Sequence, residues 1–556
     1  MKQKGAQILT KCLEEENVDT IFGYPGGAVL DIYDALYDSP LKHYLVRHEQ
    51  GAAHAADGYA RATGKPGVCI ATSGPGATNL VTGLANAYMD SVPLVAFTGQ
   101  VATDMLGRDS FQEADIYGIT LPITKHNYLV KSVSELPRVI RESFYLATTG
   151  RPGPVLIDLP KDVCQKRVAL SHPQSPQLRG YCPVQEGASR MIGEAAAAIA
   201  ASKKPVICAG GGAIISGGSE ALRELAELCA IPVATTLMGK GAFPENHPLA
   251  LGMIGMHGTR YANYAVNECD LLIAVGARFS DRVTVKVEAF APEARIIHLD
   301  IDPAEIGKNV PVDIPLIGDV RLVLEQLCRQ IQGGNEKEEW PARIRAWKEK
   351  YPLKYDRKSE TIKPQFVVEQ IDEATGGKAI ITTEVGQNQM WAAQFFTFTR
   401  PRTFITSGGL GTMGFGLPAA IGAQIGRPGE TVFNIAGDGS IQMNIQELAT
   451  AVDYRLPLKI AVLNNSYLGM VRQWQDIFYE GRLAYTEIGG PDYIKLAEAY
   501  GAVGMRVTKP AEVRRALDEA MQIKDRPVLI DFIVDRKENV LPMIPPGGTI
   551  KKMLKE

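Results

Sequence analysis

Val432-Phe433-Asn434-Ile435-Ala436-Gly437-Asp438-Gly439, followed after 24 residues by Asn464-Asn465, decides how this chain of 556 residues is read. The run Val432–Ala436 is short and largely apolar on both faces, the pattern of a buried parallel strand. Such a strand delivers Asp438 to its C-terminal end, where ligands bind in open parallel sheets. The next aliphatic run, Ile460–Leu463, delivers Asn465 to the same edge. One carboxylate, one amide oxygen and the backbone carbonyl of Tyr467 are hard oxygen ligands of the kind Mg²⁺ takes, with a diphosphate and water completing its shell. Gly437 and Gly439 let the backbone approach phosphates closely. A lone Gly-Asp-Gly is more often a tight strand–helix turn with no ligand. The paired asparagine at this spacing reverses that balance.

Working outward, similar aliphatic runs recur at Val68–Ala71, Leu94–Phe97, Val155–Ile157, Val206–Ala209, Leu271–Val275, Ile296–Leu299 and Val528–Ile533. They alternate with longer helical patterns, so the fold class is α/β, with doubly wound parallel sheets. Residues 165–190, rich in Gln, Ser and Pro, and residues 331–362, with the charged run Asn335-Glu336-Lys337-Glu338-Glu339, read as linkers, the second partly helical. They leave units at 1–165, 190–330 and 363–535, and a Pro/Gly-rich tail at 536–556 that reads as a candidate flap. The first and third units repeat each other. Gly64-Lys65-Pro66-Gly67 returns as Gly426-Arg427-Pro428-Gly429, and Gly74-Pro75-Gly76 as Gly437-Asp438-Gly439. Val92-Pro93-Leu94 returns as Leu456-Pro457-Leu458, and Pro154-Val155-Leu156-Ile157-Asp158 as Pro527-Val528-Leu529-Ile530-Asp531. Four matches in one order point to two copies of one fold. The middle unit has its own Gly210-Gly211-Gly212 turn after a strand, as in nucleotide-binding units.

Composition excludes more than it selects. With 59 basic and 62 acidic residues the net charge is −3, which gives no footprint for nucleic acid or a membrane surface. No apolar run approaches the ~18 residues of a membrane span. The 8 cysteines form no C-x-x-C pair and several sit in apolar runs, so neither a disulfide framework nor a zinc site is signalled. The N-terminus enters an amphipathic pattern (Ala6, Leu9, Cys12, Leu13) with no signal-peptide core, and a cytoplasmic location is expected.

The Asp438–Asn465 spacing and the duplicated fold resemble the thiamine-diphosphate-dependent enzymes, whose pyrimidine-binding and diphosphate-binding domains flank a central one. The resemblance implies that Asp438, Asn465 and the Tyr467 carbonyl hold Mg²⁺. It also implies that Val385-Gly386-Gln387-Asn388, Gly437, Gly439, Ser440, Gly469 and Met470 contact the cofactor. Gly411 and Met413 would lie along its bent body, Met413 as an apolar wedge. Glu49, in Arg47-His48-Glu49-Gln50-Gly51, would press its carboxyl on the pyrimidine N1′ and stabilise the imino tautomer that generates the ylid. On its own, Glu49 reads as a solvated loop residue. In this family the two halves of a site come from different subunits, so a homodimer is the implied minimum, with a tetramer as the alternative.

Further segments resemble the acetolactate synthase (acetohydroxyacid synthase) large catalytic subunits over essentially the whole chain. They include Phe22-Gly23-Tyr24-Pro25-Gly26-Gly27-Ala28, Phe111-Gln112-Glu113, Phe279-Ser280-Asp281-Arg282-Val283-Thr284 and Gln473-Trp474-Gln475. The implied reaction decarboxylates pyruvate and joins the fragment to a second 2-keto acid. Pyruvate gives 2-acetolactate and 2-ketobutyrate gives 2-aceto-2-hydroxybutyrate, opening branched-chain amino-acid synthesis. Arg282 would grip the second acid's carboxylate, and Trp474 would wall its alkyl group, a pocket that discriminates one methylene by about 1–3 kcal/mol. Gln112 and Lys161 match further catalytic positions, and Gly27, Ala28 and Phe111 match substrate-side ones. A non-redox FAD is implied at Arg151, Gly210, Gly211, Gly212, Thr236, Leu237, Met256, His257, Gly276, Arg278, Asp300 and Asp319. A separate small regulatory subunit is also implied.

Three positions depart from the family pattern. Asn388 stands where His is frequent and is expected to donate to phosphate; Ser280 replaces an Asp; Val285 replaces a Gly and is expected to alter a turn. The alternatives are an FAD-free catabolic acetolactate synthase, a 2-keto-acid decarboxylase, or a non-catalytic homologue that keeps the fold. Trp474 with Gln473, and the Arg278–Arg282 segment, argue against the first two. Intact Glu49 and an intact Asp438–Asn465 pair argue against the third.

Overall fold

A computed structural model describes residues 2–169, 176, 178–331 and 339–555, so the charged residues 335–338 lie outside the described residues. Three six-stranded sheets dominate, and every pairing within them is parallel. The first sheet runs Lys42–Leu45, Thr20–Gly23, Gly67–Ala71, Leu94–Gln100, Pro154–Pro160, His126–Leu129. The third runs Phe404–Ile405, Ile380–Thr383, Val432–Gly437, Lys459–Asn464, Val528–Ile533, Val503–Val507. Numbered from the first strand of each sheet, both have the order 2-1-3-4-6-5. The duplication read from four short matches is therefore a duplication of topology. The middle sheet has the order 3-2-1-4-5-6, that of dinucleotide-binding folds, starting from Ala250–Met253 and ending at Ile314–Ile317.

Apolar strands buried on both faces hold each sheet between helices, giving separate cores around Ile70 and Phe97, around Ile207 and Ile273, and around Ile435 and Ile530. The first and third units meet through helices Glu49–Thr63 and Gly416–Gly426. Their backbones approach so closely that a Cβ on Gly58 would lie 2.2 Å from the Ala419 carbonyl oxygen. The first stretch expected as a linker carries a short strand, and the second carries the helix expected of it. Arg167–Ala169 pairs antiparallel with Lys2–Lys4, and helix Glu339–Lys350 buries Trp340 and Ile344 against the middle unit. The tail is packed too. The Ile544 amide donates to the Met256 carbonyl at 2.8 Å, and Val540, Met543 and Met553 are buried.

Candidate active site

In a doubly wound sheet the ligand crevice opens where the strand order reverses, at the C-terminal ends of the strands. In the third sheet this lies between Ile380–Thr383 and Val432–Gly437, which deliver Val385-Gly386-Gln387 and Asp438. Asp438 is buried; burial pushes its carboxyl up to about 6, while the backbone amides of Asn465 and Ser466 donate to it and oppose the rise. Ser466 takes φ +57°, turning the chain so that the Asn465 Oδ1 accepts from the Tyr467 amide at 3.0 Å. The Asn465 amide nitrogen donates to Gln387 Oε1 at 3.2 Å. A Cβ on Gly469, where helix Gly469–Phe478 starts, would meet that same Gln387 oxygen at 2.2 Å, so a side chain there would push the Gln387 amide away from Asn465. No cluster of three His, Cys, Asp or Glu side chains suited to a metal occurs among the described residues. The donors at this turn are oxygens of a carboxylate, an amide and a peptide, a set suited to Mg²⁺ rather than to a soft metal.

Asn388 departs from expectation. Its side-chain nitrogen donates to the Glu384 and Ile435 carbonyls at 3.0 and 2.9 Å, so its donors are spent on the backbone. Its Oδ1 instead faces Gly386 and Gly437.

The loop bearing Gly411 and Met413 returns to the same crevice. Gly411 takes φ +71° and is exposed; Met413 is half-buried. Glu384 anchors the far end of the loop, accepting from the Gly414 and Leu417 amides at 2.7 and 3.0 Å, and burial pushes its carboxyl up to about 7.

In the middle sheet the order reverses between Pro205–Ala209 and Leu271–Val275, whose ends carry Gly210–Gly212 and Gly276. A Cβ on Gly210 would lie 2.2 Å from the Gly276 oxygen, so the two turns touch backbone to backbone. All twelve positions expected to hold FAD line one cavity of about 1000 Å³ here. The same cavity continues to Asp438 and is lined by every expected cofactor residue from Val385 to Met470. Arg151 reaches across from the first unit to Asp302 and Glu305 at 3.2 and 2.7 Å. Burial pushes Asp300 up to about 6 and His257 down to about 4, and the His257 Nδ1 is buried without a protein partner. Between the two ends of the cavity, the Arg282 guanidinium stands 5.9 Å from the Trp474 ring centre, and the buried Trp474 Nε1 has no protein partner. Val285, in the glycine position, adopts φ +55°, ψ −53°, with the Lys286 amide bonded to the Thr284 carbonyl. The turn keeps a conformation suited to glycine and strains the valine.

The remaining expected residues gather elsewhere, at the C-terminal edge of the first sheet. Glu49 opens helix Glu49–Thr63 and is buried there; Asn79 Nδ2 donates to its Oε2 at 2.9 Å. A Cβ on Gly76 would sit 3.0 Å from the Glu49 Oε1, and one on Gly74 2.8 Å from the Gln112 carbonyl oxygen. The Gly-Pro-Gly turn thus lies against both the Glu49 carboxyl and the Gln112 backbone. The Ala28 amide donates to Thr72 Oγ1 at 3.4 Å, which brings in Gly27 and Ala28. Lys161 is exposed at the end of strand Pro154–Pro160, and the Phe111 side chain is 88% exposed, an unusual state for so large an apolar group. None of these six residues lines the cavity of Asp438. Within one chain, the expected residues fall into two separate groups.

Glu384, Asn86 and Asp90, which grip the Gly411 loop, were not singled out in the sequence. The one signal for Glu384 was its place directly before Val385-Gly386.

Three models of the thiamine pyrophosphate (thiamine diphosphate) enzymes match the chain. The N-terminal TPP-binding domain matches residues 3–119, the central domain 192–327, and the C-terminal TPP-binding domain 384–532. The chain is 54% identical to a probable acetolactate synthase large subunit of Methanocaldococcus jannaschii, over 99% of this chain and 95% of that one. It is 53% identical to an acetolactate synthase of Mycobacterium bovis, over 98% and 90%. It is 50% identical to the chloroplastic acetolactate synthase 2 of Nicotiana tabacum, over 100% and 85%. With three domain models in order and half of all residues identical end to end, the chain belongs to the acetolactate synthase large subunits, a family of thiamine-diphosphate-dependent enzymes.

Proposed function

We propose that the active enzyme is at least a homodimer in which Glu49, Gln112 and Lys161 of one chain complete the cavity of Asp438 and Met413 in the other. Two observations support this: the separation of the half-sites within one chain, and the bare Phe111 beside Gln112. In this reading Asp438, Asn465 and the Tyr467 carbonyl hold Mg²⁺, and the turn Gly437–Gly439 with Gly386 offers peptide amides to the diphosphate. Bound thiamine diphosphate supplies the sink for the electron pair released when pyruvate loses CO₂. Glu49 Oε1 exchanges a proton with the pyrimidine ring, its other oxygen held by Asn79. Met413, anchored through Gly414 and Glu384, sets the shape that the bound group takes. Arg282 pairs with the carboxylate of the second keto acid, and Trp474, below the same guanidinium, packs on its alkyl group. The overall reaction, two pyruvates to acetolactate and CO₂, is redox-neutral. FAD, held between Gly210–Gly212 and Gly276, therefore has a structural part.

The observation that carries this reading is the single cavity that joins the middle-sheet turn to Asp438 and brings Arg282 to Trp474. Purified protein given pyruvate, Mg²⁺ and thiamine diphosphate is expected to release acetolactate and to carry flavin absorbance. Acetaldehyde as main product would overturn the carboligase reading, and a colourless active protein would overturn the flavin assignment. 2-Ketobutyrate as the preferred second substrate, a cytoplasmic location and a small regulatory partner complete the proposal. No helix among the described residues is long and apolar enough to cross a membrane.

A further inference from the structure

Between Thr406 and Thr412 the third unit's loop is held by side chains of the first unit of the same chain. Arg61 Nη1 donates to the Thr406 carbonyl at 2.9 Å. Asn86 Oδ1 accepts from the hydroxyls of Ser407 and Thr412 at 2.5 and 3.2 Å. Asp90 accepts from two successive peptide amides, Gly408 at 3.0 Å and Gly409 at 2.7 Å. A Cβ on Gly409 would stand 2.8 Å from Asp90 Oδ1, and one on Gly408 2.3 Å from the Met238 sulfur. A side chain at Gly409 would press on the acceptor itself, and one at Gly408 would displace the Met238 side chain.

The charges explain why the contact is specific. Asp57, Arg61 and Asp90 have buried or nearly buried side chains, two carboxylates to one guanidinium. Arg61 bridges the carboxylates at 2.5 and 2.9 Å, and Asn86 Nδ2 donates to Asp57 at 3.0 Å. That leaves Asp90 short of donors inside the protein, where an unmet carboxylate is costly. The two loop amides meet the need, as charge-assisted bonds to a fixed acceptor. The loop is thus fixed at Thr406–Gly409, again at Thr412, and at Gly414 by Glu384; Leu410 and Gly411 project between these anchors, and both are exposed.

We propose that Asp90, backed by Asn86 and Arg61, is a positioning residue of the reaction: from the first unit it sets the loop that presents Gly411 and Met413. The proposal rests on the cofactor role assigned above to Gly411 and Met413. The anchoring itself is measurable in protein that carries no cofactor.

The experiment uses Asp90→Ala and the near-isosteric Asp90→Asn in the full-length chain. The first readout is amide hydrogen exchange of cofactor-free protein, resolved to segment 406–414. Exchange at Gly408 and Gly409 is expected to speed up about tenfold or more in Asp90→Ala, with the remaining segments unchanged. The second readout is thiamine diphosphate affinity, followed by tryptophan fluorescence, together with kcat and KM for pyruvate. Affinity and kcat are expected to fall about tenfold or more, with a smaller change in KM, and Asp90→Asn is expected to recover part of each loss. Should Asp90→Ala not fold, Asp90→Asn carries both readouts, with smaller changes in the same direction. Unchanged exchange at 406–414 would overturn the anchoring. Faster exchange with wild-type affinity and kcat would overturn the positioning role. An Asp438→Ala control separates the two claims: if it binds the cofactor as wild type does, the site assignment fails while the exchange result still judges the anchor.

Discussion

At the scale of single residues, Glu49 bears the largest expected effect. Glu49→Gln keeps the shape and the Asn79 contact but removes the titrating oxygen. Turnover should fall about 10²-fold or more with cofactor affinity nearly unchanged, measured by steady-state acetolactate formation and a binding titration. Trp474→Leu removes the flat wall beside Arg282. The kcat/KM ratio for 2-ketobutyrate over pyruvate as second substrate should drop about tenfold or more, within the range one methylene can supply. Val285→Gly should raise stability by about 1 kcal/mol, read from denaturant midpoints, because the γ-turn strain at φ +55° disappears. Which residues were legible at this scale follows from chemistry. Asp438 and Asn465 carry oxygen ligands at a fixed spacing after strands, a pattern visible in one dimension. Asp90 and Asn86 act on a loop more than 300 residues away, and nothing in Tyr88-Met89-Asp90-Ser91 announces that partner. The sequence does not show the fate of the Asn388 amide, because that depends on two carbonyls about 50 residues apart, Glu384 just after one strand and Ile435 within the neighbouring strand.

At the scale of elements, the nine aliphatic runs read as strands are three of the four inner strands of each six-stranded sheet. Those strands are flanked on both sides and nearly all their side chains are buried, so their runs are continuous and apolar. Other strands were not legible, for two reasons. Val503–Val507 and Lys42–Leu45 are edges with half-exposed side chains, and Thr20–Gly23 and Ile380–Thr383 are only four residues long and include threonine. Helix contacts were equally silent: a Cβ on Gly422 would stand 1.8 Å from the Ala55 oxygen, which only the folded pair reveals. Gly422→Ala should therefore destabilise the protein by about 1–3 kcal/mol in chemical denaturation, by prising helix Gly416–Gly426 from Glu49–Thr63. Strand Pro154–Pro160 supplies a pH test. Burial raises Asp158 from the ordinary 3.8 to about 7, although Thr98 and Gln100 donate to it. The folded protein then holds a proton that the unfolded chain releases. This contribution to stability is complete below about pH 4 and is lost as the pH rises through about 7. Asp158→Asn lacks it. The urea midpoint of the wild type should fall, relative to the variant, between about pH 5 and about pH 8, and parallel curves would contradict the assignment.

At the scale of the whole molecule, a repeated topology has been put to two different uses. The first sheet ends in a carboxyl, an amide and an exposed aromatic ring, and the third in a turn suited to metal and phosphate. The middle sheet lies between them in sequence and shares its cavity with the third. The copies in one chain are locked together by helix packing and by the Asp90 anchor, yet the residue groups at their two strand edges do not share a cavity. In the proposed homodimer two chains supply each site, and a C2 dimer makes two such sites. The most direct test mixes two inactive variants. Glu49→Gln and Asp438→Ala chains are co-expressed with distinguishable tags, and the mixed dimers are purified and assayed for acetolactate. In a mixed dimer one site carries both lesions and the other carries none, so about half the wild-type activity should return. Mixed dimers as inactive as either parent would place Glu49 and Asp438 in the same site of one chain and contradict the shared site.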